Sequence, residues 1–274
     1  MNVQNKTALI TGAGSGIGRA IALSLAKRGC HLALADINSS GLKATAEQVS
    51  SYDIKVSQHQ LDIRDRNAVN ALPTALTDFH GGIDILINNA GIAAGGTFLE
   101  MSEAIFDQVI DTNFNAMVRI TRAFLPYLRE RKEARIVNIS SIFGMISPTE
   151  QTAYSASKFA VRGFSNSLRH ELAHSNIGVT VVHPGGVATN IARNALLSKP
   201  IKKADMLQRL ANQEKTLSMP PEKAGEIIVK AIGNNKARVL VGADAKMISI
   251  MERLMPVHYW KVMKVLAKLM GVYP

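Results

Sequence analysis

A doubly wound parallel sheet with helices on both faces, a three-layer α/β/α arrangement in a single domain, is the fold class this sequence predicts. Three observations predict it. Short apolar runs alternate with helical periodicity along the chain, the first such run ends in a glycine-rich turn, and 47% of residues are hydrophobic against 19% charged. Each parallel crossover needs a helix to return the chain, so regular β-α alternation covers both faces of the sheet.

Residues 6–11 form the first strand candidate, and residues 17–28 carry apolar side chains at helical spacing. Further strands are expected at 31–36, 54–60, 83–88, 135–140, 178–183 and 238–241, nearly all apolar, as burial on both faces demands. No Pro/Gly/Ser linker divides the chain, so residues 1–274 are read as one unit. The alternation lapses at about 185–221, between Pro184-Gly185-Gly186 and Pro220-Pro221, with a short amphipathic helix expected near 204–216. A long irregular segment inside an α/β unit is expected to act as a substrate lid.

Composition excludes several classes. Cys30 is the single cysteine, which rules out an intramolecular disulfide framework and agrees with a reducing, cytoplasmic setting. Residues 1–6 run straight into the first strand without the charged, apolar and small-residue order of a signal peptide, and no apolar run reaches the roughly 18 residues of a spanning helix. The net charge of +11 is unevenly spread: residues 1–198 hold 18 basic and 15 acidic side chains, residues 199–274 hold 14 and 6. The excess is therefore an appended basic surface, and no nucleic-acid partner is expected.

Thr11-Gly12-Ala13-Gly14-Ser15-Gly16-Ile17-Gly18 stands between the first strand and first helix. Backbone N–H groups and the helix dipole there can bind a pyrophosphate, and glycines at 12, 16 and 18 let the chain approach it; a bare tight turn is the alternative. Asp36 closes the second strand, 18 residues after Gly18, near the offset at which an acid meets the adenosine ribose. Its carboxylate would accept from a 2′-hydroxyl and repel a 2′-phosphate, which favours NAD(H). Arg19 beside the turn leaves NADP(H) open, and capping of the helix that starts near Ser39 is the other reading of Asp36. Tyr154 and Lys158, four residues apart, share one helical face. A nearby ammonium favours phenolate and so brings a phenol within reach of acid/base work, although such a pair alone is common surface decoration.

Taken together these residues resemble the classical short-chain dehydrogenase/reductase family. The resemblance spans most of residues 5–190: the turn at Thr11–Gly18, Asp36, Asp62-Ile63, Asn88-Asn89-Ala90-Gly91, Asn113, Ser140-Ser141, Tyr154, Lys158 and Pro184-Gly185 through Thr189. It implies a Rossmann-type dinucleotide-binding catalytic domain and a four-residue catalytic set. Tyr154 would pass the proton to or from the substrate oxygen, and Ser141 would hydrogen-bond that oxygen. Lys158 would lower the phenol pKa and hold the nicotinamide ribose, while Asn113 would keep a relay water near Lys158. Ser140 would be structural. The cofactor contacts implied are Gly12, Ser15, Gly16, Ile17 and Gly18 at the turn; Asp36 and Ile37 at the adenosine ribose; Asp62 and Ile63 at the adenine; Asn89, Ala90 and Gly91; Tyr154 and Lys158; and Pro184, Gly185, Val187 and Thr189 toward the nicotinamide and phosphates. Asn88 would brace the sheet. No metal ligand set is expected.

The resemblance thus implies an NAD(P)-dependent alcohol dehydrogenase or carbonyl reductase, assembled as a homodimer or homotetramer. An NADPH-dependent 3-oxoacyl-thioester reductase stays open, as does a cofactor-binding regulatory protein without turnover. Apolar residues around the expected substrate site, Ile92, Phe98, Ile142, Phe143, Met145, Ile191, Leu196, Leu197, Met206, Leu207, Leu210 and Leu217, either line a hydrophobic pocket or pack the lid on the body. The first reading predicts a lipophilic alcohol or carbonyl substrate. In the C-terminal extension, about 244–274, residues 257–270 have a basic amphipathic pattern with Lys261, Lys264 and Lys268 along one side. Packing on a subunit and peripheral contact with a membrane surface both fit, while His258 and Trp260 are expected to be packing or interfacial groups.

Overall fold

The apolar runs form a seven-stranded parallel sheet in the computed structural model, which describes residues 1–197 and 217–269. The strands are β1 (Thr7–Thr11), β2 (His31–Asp36), β3 (Val56–Gln60), β4 (Ile85–Asn88), β5 (Ala94–Gly95), β6 (Ala134–Ile139), β7 (Ile177–Pro184), β8 (Leu196–Leu197) and β9 (Arg238–Val241). Seven of them lie in the order β3-β2-β1-β4-β6-β7-β9, and the two-residue strands β5 and β8 pair separately. The helices are α1 (Gly16–Ala26), α2 (Ser39–Val49), α3 (Arg66–His80), α4 (Glu103–Ile110), α5 (Ala116–Arg129), α6 (Thr152–Glu171), α7 (Pro221–Gly233), α8 (Ala243–Leu254) and α9 (Tyr259–Leu269). A π segment, Asp111–Asn115, joins α4 to α5, and a 3₁₀ turn, Ile142–Gly144, follows β6.

Alternation along the strands divides the interior into two layers. Ile10, Leu32, Leu34, Ile87 and Val182 face α1 and α7, meeting Ile21, Leu25, Ile228 and Ile232. Leu9, Leu86, Ile136 and Val179 face the other way onto Leu76 of α3, Phe124 and Leu128 of α5, and Leu168 of α6. The sheet order reverses between β1 and β4, so their carboxyl ends open a crevice at the topological switch point, where α/β sheets bind ligands. Helix entry is fixed locally: the Asn38 side chain accepts from Gly41 N at the head of α2, and the Asp65 carboxylate accepts from Asn67 N and Ala68 N at the head of α3.

The expected strands and first helix all form, with boundaries shifted by up to two residues. One expectation of composition fails: β3 is an edge strand, and its Ser57 hydroxyl is hydrogen-bonded with His59 and His80 rather than buried in apolar contact. The helix expected at 204–216, with Met206, Leu207 and Leu210, lies outside the described residues. The described residues on either side of 198–216 are tied down: Leu196 N donates to Ala93 O (2.9 Å), and Ala188 N donates to Met219 O (2.9 Å). Among the described residues no helix is long and apolar enough to cross a membrane.

Helices α1 and α7 touch backbone to backbone at one point. A Cβ at Gly225 would stand 2.6 Å from the Ala20 carbonyl carbon and oxygen, so no side chain fits there without separating the helices. Gly225→Ala is expected to cost about 1–3 kcal/mol in urea denaturation. An unchanged midpoint would mean that the two helices are not held at this distance.

Candidate active site

Strand β1 ends in a turn that excludes side chains. Gly12 has φ +67°, and a Cβ there would stand 2.8 Å from Ala90 Cα and 2.8 Å from Asn89 Nδ2. A Cβ at Gly18 would lie 2.1 Å from Gly12 O, an impossible approach. The turn is stitched to β4 by Thr11, whose hydroxyl accepts from Asn89 N (3.0 Å) and Ala90 N (3.1 Å), and by Asn89 Nδ2, which donates to Thr11 O and Gly12 O. Ser15 is the N-cap of α1, yet its side chain makes no capping bond. The opening N–H groups of a helix lack intrahelical acceptors, so the Gly12–Gly18 turn fits an anionic pyrophosphate. Gly16 has φ +53° and faces Thr189, which the sequence reading set toward the phosphates.

Asp36 sits beside this turn. Its carboxylate accepts from Gly14 N (2.8 Å) and Asn38 N (2.9 Å), and because Asn38 caps α2, the capping alternative for Asp36 does not hold. Ile37 next to it is 61% exposed, an uncovered apolar side chain. Arg19 is turned inward, donating to Gly14 O and to Thr45 Oγ1. The Asp62 carboxylate is clamped by Arg64, whose Nη2 donates at 2.7 Å, and this bond holds Asp62 below the usual carboxylate range. Ile63 is buried behind it.

The four residues read as catalytic come together in one buried place. Ser141 follows β6; Asn113 lies in the π segment; Tyr154 and Lys158 are on the first turns of α6. The Ser141 side chain lowers the Tyr154 phenol slightly, Phe143 stands edge-on to the Tyr154 ring, and Lys158 Nζ lies 5.6 Å from that ring's centroid. Lys158 Nζ donates to Ile139 O (3.0 Å). Asn113 is fully engaged: Oδ1 accepts from Ile92 N (2.8 Å), and Nδ2 donates to Ile92 O and Ser157 Oγ. A Cβ at Gly91 would fall 3.0 Å from Asn113 Oδ1 and 3.5 Å from Lys158 Nζ, so glycine there keeps the space above both open. Asn88 braces the sheet, donating to Asn138 Oδ1 and Thr121 Oγ1, and Ser140 Oγ donates to Lys158 O.

Two supporting residues escaped the sequence reading. His183, fully buried at the end of β7, has Nδ1 2.9 Å from Ser141 O; a carbonyl only accepts, so this nitrogen carries the proton. Burial pushes its imidazole down to about 4, and it stays neutral. Asp244 of α8 accepts from Gly186 N (2.6 Å) and presses on Gly185, fixing the Pro184-Gly185-Gly186 turn that leads to Val187 and Thr189. The signals were a histidine directly before Pro184 and an acid in the first turn of the helix after β9. Met145, counted among pocket candidates, is instead buried with its sulfur against Arg238, whereas Phe98 is 67% exposed.

Burial dominates the electrostatics. It raises the Tyr154 phenol to about 12, against a smaller lowering by the Ser141 side chain, and lowers Lys158 to about 8. The unfolded lysine keeps its proton to about 10.5, so between about 8 and 10.5 the unfolded chain holds a proton that the folded chain has released. Stability gains from Lys158 with rising pH through that window, and Tyr154 works oppositely between about 10 and 12. From about pH 7.5 to 9.5, wild type should gain about 2 kcal/mol over Lys158→Met in urea denaturation. A constant difference would show that Lys158 does not titrate in this range.

The comparisons with known proteins agree with this fold. The family model described as "short chain dehydrogenase" matches residues 6–199. The chain is 38% identical over 262 residues to the SadH protein of Mycobacterium tuberculosis, covering 94% of each. It is 33% identical to dehydrogenase/reductase SDR family member 7B of Xenopus tropicalis, covering 97% of this chain and 87% of that one. A crystal structure of a short chain dehydrogenase/reductase from Burkholderia phymatum in complex with NAD superposes with a TM-score of 0.85 at 27% identity, over 93% and 95% of the two chains.

Proposed function

Since the chain belongs to the short-chain dehydrogenase family of oxidoreductases, we propose that it moves a hydride between NAD(H) and a lipophilic secondary alcohol, ketone or aldehyde, with Tyr154 as general acid/base. The observation that carries this reading is the convergence of Ser141, Tyr154 and Lys158 beside Gly91, at the crevice where β4 and β6 end. Bound NAD supplies the hydride acceptor or, once reduced, the donor.

The protein's own groups do the rest. Tyr154, with its phenol pushed to about 12, holds its proton at neutral pH and serves directly as the acid that protonates a carbonyl oxygen. Ser141 presents its hydroxyl to the same oxygen, and the His183–Ser141 bond and the Ser140–Lys158 bond fix where both stand. Lys158, at about 8, still carries its charge at neutral pH; that charge draws the phenol toward ionisation in the oxidative direction. The turn at Gly12–Gly18, with Ser15, Ile17 and Thr189, holds the pyrophosphate. Asp36 and Ile37 hold the adenosine ribose, Asp62 and Ile63 the adenine edge, and Asn89, Ala90 and Gly91 line the passage to the nicotinamide that the Pro184–Val187 turn closes. Residues 1–274 act as one catalytic unit, with 185–221 as its lid and the apolar Ile92, Phe143, Leu196, Leu197 and Leu217 toward the substrate. Two or four copies assemble through α5 and α6, where Phe159 is exposed.

Two experiments test this reading. Tyr154→Phe is expected to keep the fold and NAD(H) affinity while lowering turnover about 10²–10⁴-fold, followed by nicotinamide absorbance over a panel of lipophilic alcohols and ketones; near-normal turnover would remove Tyr154 from the chemistry. Asp36→Asn, which discharges the carboxylate facing the ribose, should improve NADP(H) affinity relative to NAD(H) roughly tenfold in fluorescence titration. Wild-type protein that already binds NADP(H) as tightly as NAD(H) would refute the assigned preference.

A further inference from the structure

Helices α8 and α9 carry an exposed face that the proposed chemistry does not use. On α8, Ala245 and Ile248 point inward, and at 100° per residue Met247, Ile250 and Leu254 fall in one arc of about 60° on the opposite side. They are 55%, 62% and 74% exposed, and Val257 (78%) and Val265 (60%) are exposed on the link after α8 and on α9. Lys246 and Arg253 flank the arc on α8, and Lys261, Lys264 and Lys268 form the exposed row of α9. The two acids of these helices are turned away: Asp244 bonds Gly186 N, and Glu252 is half-buried within electrostatic reach of Arg238. All five exposed Lys and Arg charges on the described part of this face are therefore positive and unopposed there, with bare apolar side chains among them.

We propose that this face docks the protein on an anionic lipid surface. The chemistry selects that occupant. A polyanion without an apolar layer, such as nucleic acid, leaves Ile250, Leu254 and Val257 in water. A second copy joined by a two-fold axis sets this patch against itself, cation against cation. An anionic bilayer meets both halves, taking the apolar strip into its headgroup boundary and the lysines onto its phosphates. The docked face adjoins the substrate side: the Tyr259 hydroxyl accepts from Ser147 N (3.0 Å), on the loop that follows Ser141. Docking does not depend on which substrate the protein turns over, so it stands or falls apart from the proposed reaction.

The test is sedimentation of purified full-length protein with two kinds of vesicle, pure phosphatidylcholine and equal parts phosphatidylcholine and phosphatidylglycerol. Wild-type protein should pellet with the second and not the first, less so as salt is added. Lys261→Gln/Lys264→Gln/Lys268→Gln should lower the partition coefficient about a hundredfold, about fivefold for each charge removed. Ile250→Asp/Leu254→Asp should abolish retention while circular dichroism stays unchanged. Failure of wild type to pellet with the anionic vesicles, or retention of both variants at the wild-type level, overturns the proposal. So does a fall in oligomer size for Ile250→Asp/Leu254→Asp by light scattering with vesicle retention intact, which assigns the face to a subunit contact.

Discussion

The whole structure hangs on one close approach, where the glycine turn after β1 meets the residues after β4 too closely for a side chain at Gly12 or Gly18. Gly12 lies against Ala90, Gly18 against the Gly12 carbonyl, and Thr11 and Asn89 bind the two strand ends through main-chain groups on each side. That contact sets where α1 begins and holds its unbonded N–H groups open at the crevice. It also delivers Gly91 to a position above Asn113 and Lys158. The glycines are thus a packing requirement and a binding requirement at once, because the geometry that brings the strands together also uncovers the backbone.

Beneath the site, buried polar side chains are linked to one another by hydrogen bonds. Asn88, Asn138, Ser165 and Thr121 form one chain of hydrogen bonds across β4, β6, α5 and α6. Ser157 ties Asn113 to the Tyr154 carbonyl, and Ser140 ties the end of β6 to Lys158. Linked bonds of this kind hold side chains in place, although the Asn88 Oδ1 itself has no partner among the described residues. The same dry surroundings move the two protonation equilibria apart, the Tyr154 phenol up to about 12 and the Lys158 ammonium down to about 8. Rigidity and acid/base character come from one cause.

What was legible in the sequence follows from how local each signal is. The turn at Thr11–Gly18, the acid closing β2 and the four-residue interval between Tyr154 and Lys158 are short-range patterns with a direct steric or helical meaning, and their places in the fold agree with the reading. His183 and Asp244 were not legible because they act on Ser141 and Gly186, 42 and 58 residues away. Strands β5 and β8 are two residues each and exist only because the chain after β4 meets the chain before the lid. β3 misled because an edge strand needs apolar side chains on little of its length.

The π segment at Asp111–Asn115 has a consequence for how such a protein changes over time. A π turn accommodates one residue more than regular helix does while the flanking turns keep their faces. Val109 on one side and Ile120, Phe124 and Leu128 on the other therefore owe nothing to the extra residue. The Asn113 amide, spanning Ile92 and Ser157, is carried by this segment, as are the Asp111–Arg119 ion pair and the Phe114–Phe164 ring contact. Loss of a single codon here would return the segment to regular helix and shift the Asn113 amide while the apolar faces on either side keep their register, so the contacts of this amide and those of the core can change separately.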